Sequence, residues 1–251
     1  MNRWNARFPL ALPGLTLLGL IIALPALANI PQAERDILEA FFEAANGESW
    51  HRRDGWLEPG SDPCGWYGVE CTYRWDSDRD VISVVALPAN NLSGTLDTRI
   101  FEVVHTRLAL QGNRLSGALD ALPASPGRVD LSGNQLGGEL PAQKRERAGE
   151  ATGSGYLSSN WYLDLSDNQF SGEVPEAWDP PYWLDLSNNQ LEGLPASLLT
   201  HPGYRLGGKY LDLADNQFSG TIPAEAMAAG YVAHNGSTRW GGGLNLCWND
   251  F

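Results

Sequence analysis

Along residues 81–251 apolar side chains return at every second position in short bursts: Leu163 and Leu165, Leu184 and Leu186, Leu211 and Leu213. That is the period of a strand with one buried face. Three residues after each burst stands an asparagine, and two residues beyond it another apolar residue, Leu92, Leu115, Leu136, Phe170, Leu191, Phe218 or Phe251. The pattern occurs seven times, and the last copy, LNLCWNDF, is cut short. Each copy predicts one short strand and a turn that brings the chain inward again. A single copy cannot bury its leucines alone, so neighbours must stack and share a core. Upstream the period changes: Ile37, Leu38, Phe41 and Phe42 recur at helical spacing, with Pro31 placed to open a helix and Gly47 to close it.

The asparagines are Asn90, Asn113, Asn134, Asn168, Asn189, Asn216 and Asn249. A backbone turning inside a stack leaves amide and carbonyl groups without water, and a carboxamide can donate to and accept from them at once. One asparagine per copy predicts a structural ladder. The steps between them are 23, 21, 34, 21, 27 and 33 residues, so two copies carry insertions, near 142–159 and 224–243. Their attachment points place them on the rim or the convex side.

The segments LSGTL at 92–96, LSGAL at 115–119, FSGEVP at 170–175 and FSGTIP at 218–223 resemble the (L/F)SGxIP stretch of plant-type leucine-rich repeats, as in receptor-kinase ectodomains and polygalacturonase inhibitors. Residues 34–73, with their tryptophan-rich link and the CGWYGVEC segment, resemble the amino-terminal cap of the same proteins. No membrane span or kinase pattern accompanies them in these 251 residues. The resemblance implies an α/β solenoid, a leucine-rich-repeat right-handed superhelix with a concave parallel β-sheet, a 3₁₀ and short-strand convex side and a helical cap. The cap is expected over 29–80 and the repeats over 81–251. Trp50, Trp56 and Trp66 are expected in the cap core, and Cys64 and Cys71 match the cap's paired cysteines, which implies a disulfide. Cys247 is left over, either as a free thiol or as an intermolecular partner.

Residues 1–28 carry Arg3 and Arg7, an apolar run from Leu10 to Leu27 and the small-x-small site Ala26-Leu27-Ala28. They predict a secretory signal peptide, with an uncleaved anchor as the alternative. The protein is then expected to be secreted, periplasmic or at the cell surface. The formal charge is −13, and losing Arg3 and Arg7 with the leader makes it more negative still. Such a surface argues against nucleic acid and allows cationic partners.

Beside the buried leucines lie Tyr162, Trp183 and Tyr210, with Asp130, Asp164, Asp185 and Asp212 two residues on, ending in Asn245. A further row holds Asp167, Asn188 and Asp215. On strands about 4.8 Å apart these form an aromatic stripe beside acidic ones. Tyr162, Trp183, Tyr210, Asp164, Asp185 and Asp212, with Arg107 and Arg128, are the candidate ligand-binding residues, while for the aspartates a scaffold role competes, since LDLS is a common spelling of the resembled repeat and an aspartate can bond to neighbouring strand groups. The expected partner is an exported protein or peptide, bound on the concave face; a cell-wall glycan is one alternative, and an envelope component that oligomerises through its open last repeat is another. No cofactor or metal is expected. Catalysis finds little support: His51, His105, His201 and His234 are scattered, and stacked aspartates do not face one another across a substrate.

Overall fold

The computed structural model of the chain describes residues 30–123, 127–142, 144–145, 162–176, 181–200, 210–222 and 243–250. The expected leader, nearly all of both insertions, and with them His201, His234 and Phe251, lie outside these residues.

Helix α1 (Gln32–Ala44) begins after Pro31 and buries Leu38, Phe41 and Phe42. These pack on Trp50, Trp56 and Trp66, with ring centroids 4.9 Å apart for Phe42 and Trp50 and 4.7 Å for Trp56 and Trp66. Each indole N–H donates inside the cap, Trp50 to the Ala45 carbonyl, Trp56 to the Tyr67 carbonyl and Trp66 to Ser61 Oγ. The three rings are therefore a satisfied core with no donor left for a ligand. The helix ends earlier than the position of Gly47 suggests: Asn46 takes the left-handed conformation, φ 54°. Gly47 is needed for space, because a Cβ there would stand 2.3 Å from the Phe42 ring.

The Cys64–Cys71 disulfide, with Cα atoms 5.4 Å apart, ties the cap loop to β1 (Val69–Arg74). Strand β1 pairs antiparallel with β2 (Arg79–Ala86), and from there the sheet is parallel. It continues through β4 (Arg107–Ala109), β7 (Arg128–Asp130), β10 (Tyr162–Asp164), β12 (Trp183–Asp185), β14 (Tyr210–Asp212) and β15 (Gly243–Asn245). Alternation predicts one strand per repeat, yet a second parallel sheet lies behind the first. It is built from β3 (Ser93–Thr95), β5 (Arg114–Gly117), β8 (Gln135–Glu139), β11 (Gln169–Glu173) and β13 (Gln190–Gly193). A two-stranded pair, β6 (Leu122–Pro123) with β9 (Lys144–Arg145), and short helices α2 (Ile100–Val103) and α3 (Ala196–Thr200) complete the described elements.

Between the sheets Leu108, Leu110, Leu163, Leu165, Leu184, Leu186, Leu211, Leu213 and the rings of Phe170 and Phe218 are buried in one continuous core. The asparagines stitch its turns. Asn168 donates to the carbonyls of Leu131 in the preceding repeat and Leu165 in its own, while its Oδ1 accepts from the Leu136 amide. Asn134, Asn189, Asn216 and Asn249 repeat this pattern. Asn113 accepts from two amides, Asn90 and Leu92. Asn90, at the start, exchanges bonds with the Arg52 backbone and so hands the ladder to the cap.

The residue before each ladder asparagine has a left-handed backbone, with φ between 48° and 69° at Ala89, Gly112, Gly133, Asp167, Asn188, Asp215 and Trp248. Asn and Asp tolerate this region better than other side-chain-bearing residues. Asp167, Asn188 and Asp215 therefore have a conformational reason to stand where glycine stands in earlier repeats.

Candidate functional site

Three-residue strands in parallel register line up their side chains in rows. The first outward row runs Arg107, Arg128, Tyr162, Trp183, Tyr210, Gly243, and the next runs Ala109, Asp130, Asp164, Asp185, Asp212, Asn245. The aromatic and acidic stripes are thus adjacent on one face. The rings of Tyr162 and Trp183 are 5.6 Å apart at 22°, and those of Trp183 and Tyr210 are 3.8 Å apart at 20°. Both pairs are stacked, so the rings cover one another's faces and turn their edges outward. Arg128 closes one end, its guanidinium carbon 4.3 Å from the centroid of Tyr162, a cation–π contact. Arg107 and Arg128 are exposed, and the three aromatic side chains are half-buried.

The aspartates end their strands. Oδ1 of Asp130, Asp164 and Asp185 accepts from the hydroxyls of Ser132, Ser166 and Ser187, at 2.7, 2.6 and 2.6 Å, and from the amides of the same residues. Such local bonds turn the chain out of the sheet after three residues. The second oxygen differs between strands. Tyr162 donates to Asp164 Oδ2 at 2.8 Å and Tyr210 to Asp212 Oδ2 at 2.7 Å, where Asn245 also donates. On β12 the aromatic residue is a tryptophan, and no such hydroxyl exists for Asp185. Trp183 Nε1 is buried without an acceptor among the described residues. Strand β12 therefore holds a buried donor without a partner.

The electrostatics follow from this arrangement. The carboxyl of Asp185 is pushed up to about 7, chiefly by burial; the bonds from Ser187 oppose the shift, and the neighbouring charges of Asp164 and Asp212 add to it. Burial, reinforced by the bonds to Asp164 and Asp212, raises the phenols of Tyr162 and Tyr210 above their ordinary value. Both remain protonated donors across the physiological range. Among the described residues no group of three His, Cys, Asp or Glu side chains is placed to hold a metal ion.

A plant-type signature for the leucine-rich-repeat N-terminal domain matches residues 31–72, and leucine-rich-repeat signatures match 161–180, 182–201 and 209–227. The matched segments are a leucine-rich-repeat N-terminal domain and leucine-rich repeats. The leucine-rich repeat receptor-like protein kinase PXC2 of Arabidopsis thaliana is 30% identical over 140 residues, covering 53% of this chain and 14% of the relative. Pollen receptor-like kinase 2 of the same organism is 27% identical over 173 residues, covering 61% and 25%. The chain thus spans a quarter or less of the length of these curated relatives. The crystal structure of PEPR1-AtPEP1 shares the fold with a TM-score of 0.55 at 20% identity, covering 87% of this chain and 28% of that one.

On this leucine-rich-repeat sheet, Tyr162, Trp183, Tyr210, Asp164, Asp185, Asp212, Arg107 and Arg128 all fall in two adjacent rows. Asp167, Asn188 and Asp215 lie apart from them, in the left-handed turn. Cys247 is half-buried just past β15 and outside the disulfide. The scaffold role open to the aspartates in the LDLS segments at 163–166 and 184–187 is seen in their bonds to Ser166 and Ser187, the partners that the sequence reading did not single out. That reading also missed the orphaned indole of Trp183. Gln111, two residues past β4, has a buried Oε1 without a donor and left no signal in the pattern.

Proposed function

We propose that the protein is an exported recognition module that binds a protein or peptide across the face carrying Tyr162, Trp183 and Tyr210. The observation that carries the reading is the row of stacked rings, Tyr162, Trp183 and Tyr210, half-buried on one face of the sheet beside Asp164, Asp185 and Asp212. On the same face the buried Trp183 indole N–H lacks an acceptor, at a cost of roughly 1–3 kcal/mol, and a peptide backbone supplies carbonyls that meet such a donor. The row of rings supports a peptide over a glycan: stacked rings offer edges, whereas a sugar packs its flat face on a ring face. The relatives are named as receptor-like kinases, and the receptor part of that name accords with a binding role. Asp164, Asp185 and Asp212 stand side by side on neighbouring strands, a geometry suited to contact and unsuited to acid–base attack from two sides. The apolar run before Ala28 supports export.

The test is selection from a random peptide display library, followed by affinity measurement with Trp183→Ala and, as a distant control, Trp75→Ala at the exposed hairpin tip. Binding weakened at least about tenfold by the first, on the scale of an aromatic hot spot, and unaltered by the second is expected. Equal affinity for Trp183→Ala and the unmodified protein would remove the proposal.

A further inference from the structure

The cap carries a projection apart from the face that holds Tyr162, Trp183 and Tyr210. The last backbone bond between β2 and the following repeat runs from the His105 amide to the Ile82 carbonyl. Beyond it Arg79–Val81 continue in pairing with β1 and carry the turn 75–78 about 10 Å past the neighbouring strands. Two ties fix the base of this hairpin, the Cys64–Cys71 disulfide and the bond from Arg79 to the buried Glu34 of α1 at 2.6 Å. Two clasps order its tip: the Tyr73 hydroxyl donates to Asp78 Oδ1, and Arg74 donates to both oxygens of Asp76, from Nε to Oδ1 at 3.0 Å. Between the clasps stands Trp75, 88% exposed, with the Tyr73 ring beside it at 4.8 Å and 82°. The rings of the concave row cover one another, whereas this indole is open to water on a support that is already ordered. An ordered support loses little freedom on binding.

The groups around the indole decide what it can meet. Arg74 precedes it and Asp76 follows it as an ion pair, both in contact with water, and Asp78 and Asp80 lie within five residues. The Arg74 guanidinium holds the Asp76 carboxyl below its ordinary value, so Asp76 is a charged acceptor. A protein pocket closing over Trp75 would strip water from this pair and from Asp78, a penalty of several kcal/mol for each ion. A membrane would take the same carboxylates into a medium that disfavours them. A pyranose makes neither demand. Its flat C–H face covers the indole while its hydroxyls take the place of water on the carboxylates, as charge-assisted hydrogen bonds.

We propose that the tip of the β1–β2 hairpin is a carbohydrate-binding platform, on which a neutral pyranose stacks on Trp75 and donates from its hydroxyls to Asp76 and Asp78. The platform is independent of the peptide face. Trp75→Ala, which leaves peptide affinity unaltered, removes the sugar, and Trp183→Ala does the reverse.

The probes are cellotetraose, xylotetraose, laminaritetraose and chitotetraose, four neutral chains of different sugar and linkage, each titrated into the whole protein while the indole N–H signals of Trp75 and Trp248 are followed. Trp248 is the internal reference, 80% exposed but with no ion pair or ring contact among the described residues. At least one of the four should give a saturable shift at Trp75, about fivefold or more larger than at Trp248. Trp75→Ala should abolish that binding, read from the amides of Asp76 and Ser77, and Asp76→Asn should weaken it about tenfold, on the scale of a hydrogen bond to a charged group. Unmoved amide signals of Val84, Val85 and Ala86 show that both variants keep the sheet. No saturable shift with any of the four, an equal response at Trp248, or binding unchanged in either variant overturns the platform. So does a Trp75 shift that grows with protein concentration in the absence of sugar, which makes a second copy the occupant, or one produced by phosphatidylcholine vesicles, which makes it a membrane.

Discussion

Replacing Asp185 by asparagine should stabilise the protein at alkaline pH and leave it almost unaltered at acidic pH. In the unfolded chain this carboxyl ionises near 3.8, and in the folded chain at about 7. Between those values the folded state keeps a proton that the unfolded state has released, so stability falls as pH rises through the window and is lowest above 7. The whole gap corresponds to ~4 kcal/mol, and partial solvation of the side chain brings the expected effect to ~2 kcal/mol. Asp185→Asn removes the ionisation while keeping the Oδ1 that accepts from Ser187. Urea unfolding of both proteins at pH 4.5 and pH 8 measures it. The difference between variant and parent should grow by ~1–2 kcal/mol from the lower to the higher pH. An equal difference at the two values would refute the claim that burial beside Asp164 and Asp212 holds this carboxyl protonated.

Two further outcomes test the frame around the site. Gly94→Ala puts a Cβ 2.4 Å from the Ala44 carbonyl at a φ of +89°, whereas Gly220→Ala, at φ +101°, meets nothing within 4 Å. Both should lose the ~1–2 kcal/mol of left-handed strain, and Gly94→Ala should lose measurably more in thermal unfolding because α1 must lift off the first repeat. Asn168→Ala strands the Leu136 amide and the Leu131 and Leu165 carbonyls, a loss of roughly 3–5 kcal/mol. Asn249→Ala, at a half-buried position, should lose less in the same denaturation assay.

Much of this was legible because repetition averages out local ambiguity. The alternation of Leu163 and Leu165, repeated in register, specifies a buried strand face without any propensity argument. The residues that end each strand were less legible. Asp164 looks like half of an acidic stripe, and only the coordinates show that one of its oxygens is spent on Ser166 and the other on Tyr162. Asp167 reads as a member of a similar stripe, while its φ of 53° gives it a turn. Comparison with Gly112 and Gly133 at the same place in earlier repeats carries that signal. What the sequence cannot express is the difference between Asp185 and its neighbours. It arises from an absence, the hydroxyl that Trp183 lacks, and from burial set by the flanking strands. The second sheet was implied by the resemblance rather than by periodicity, since segments such as Ser116-Gly117 carry no apolar alternation.

The ladder of asparagines has a consequence for how such a face can change over time. Each carboxamide bonds to backbone in its own repeat and in the one before, so the pitch from strand to strand is clamped on the inside. Steps of 21 and of 34 residues between asparagines therefore deliver their strands to the same register. A position on the face has an address, strand number and row, that does not move when the chain outside grows or shrinks. Loops can lengthen without scrambling the message, and a single substitution at one address, such as an arginine for a tyrosine, rewrites one letter of it and leaves its neighbours readable.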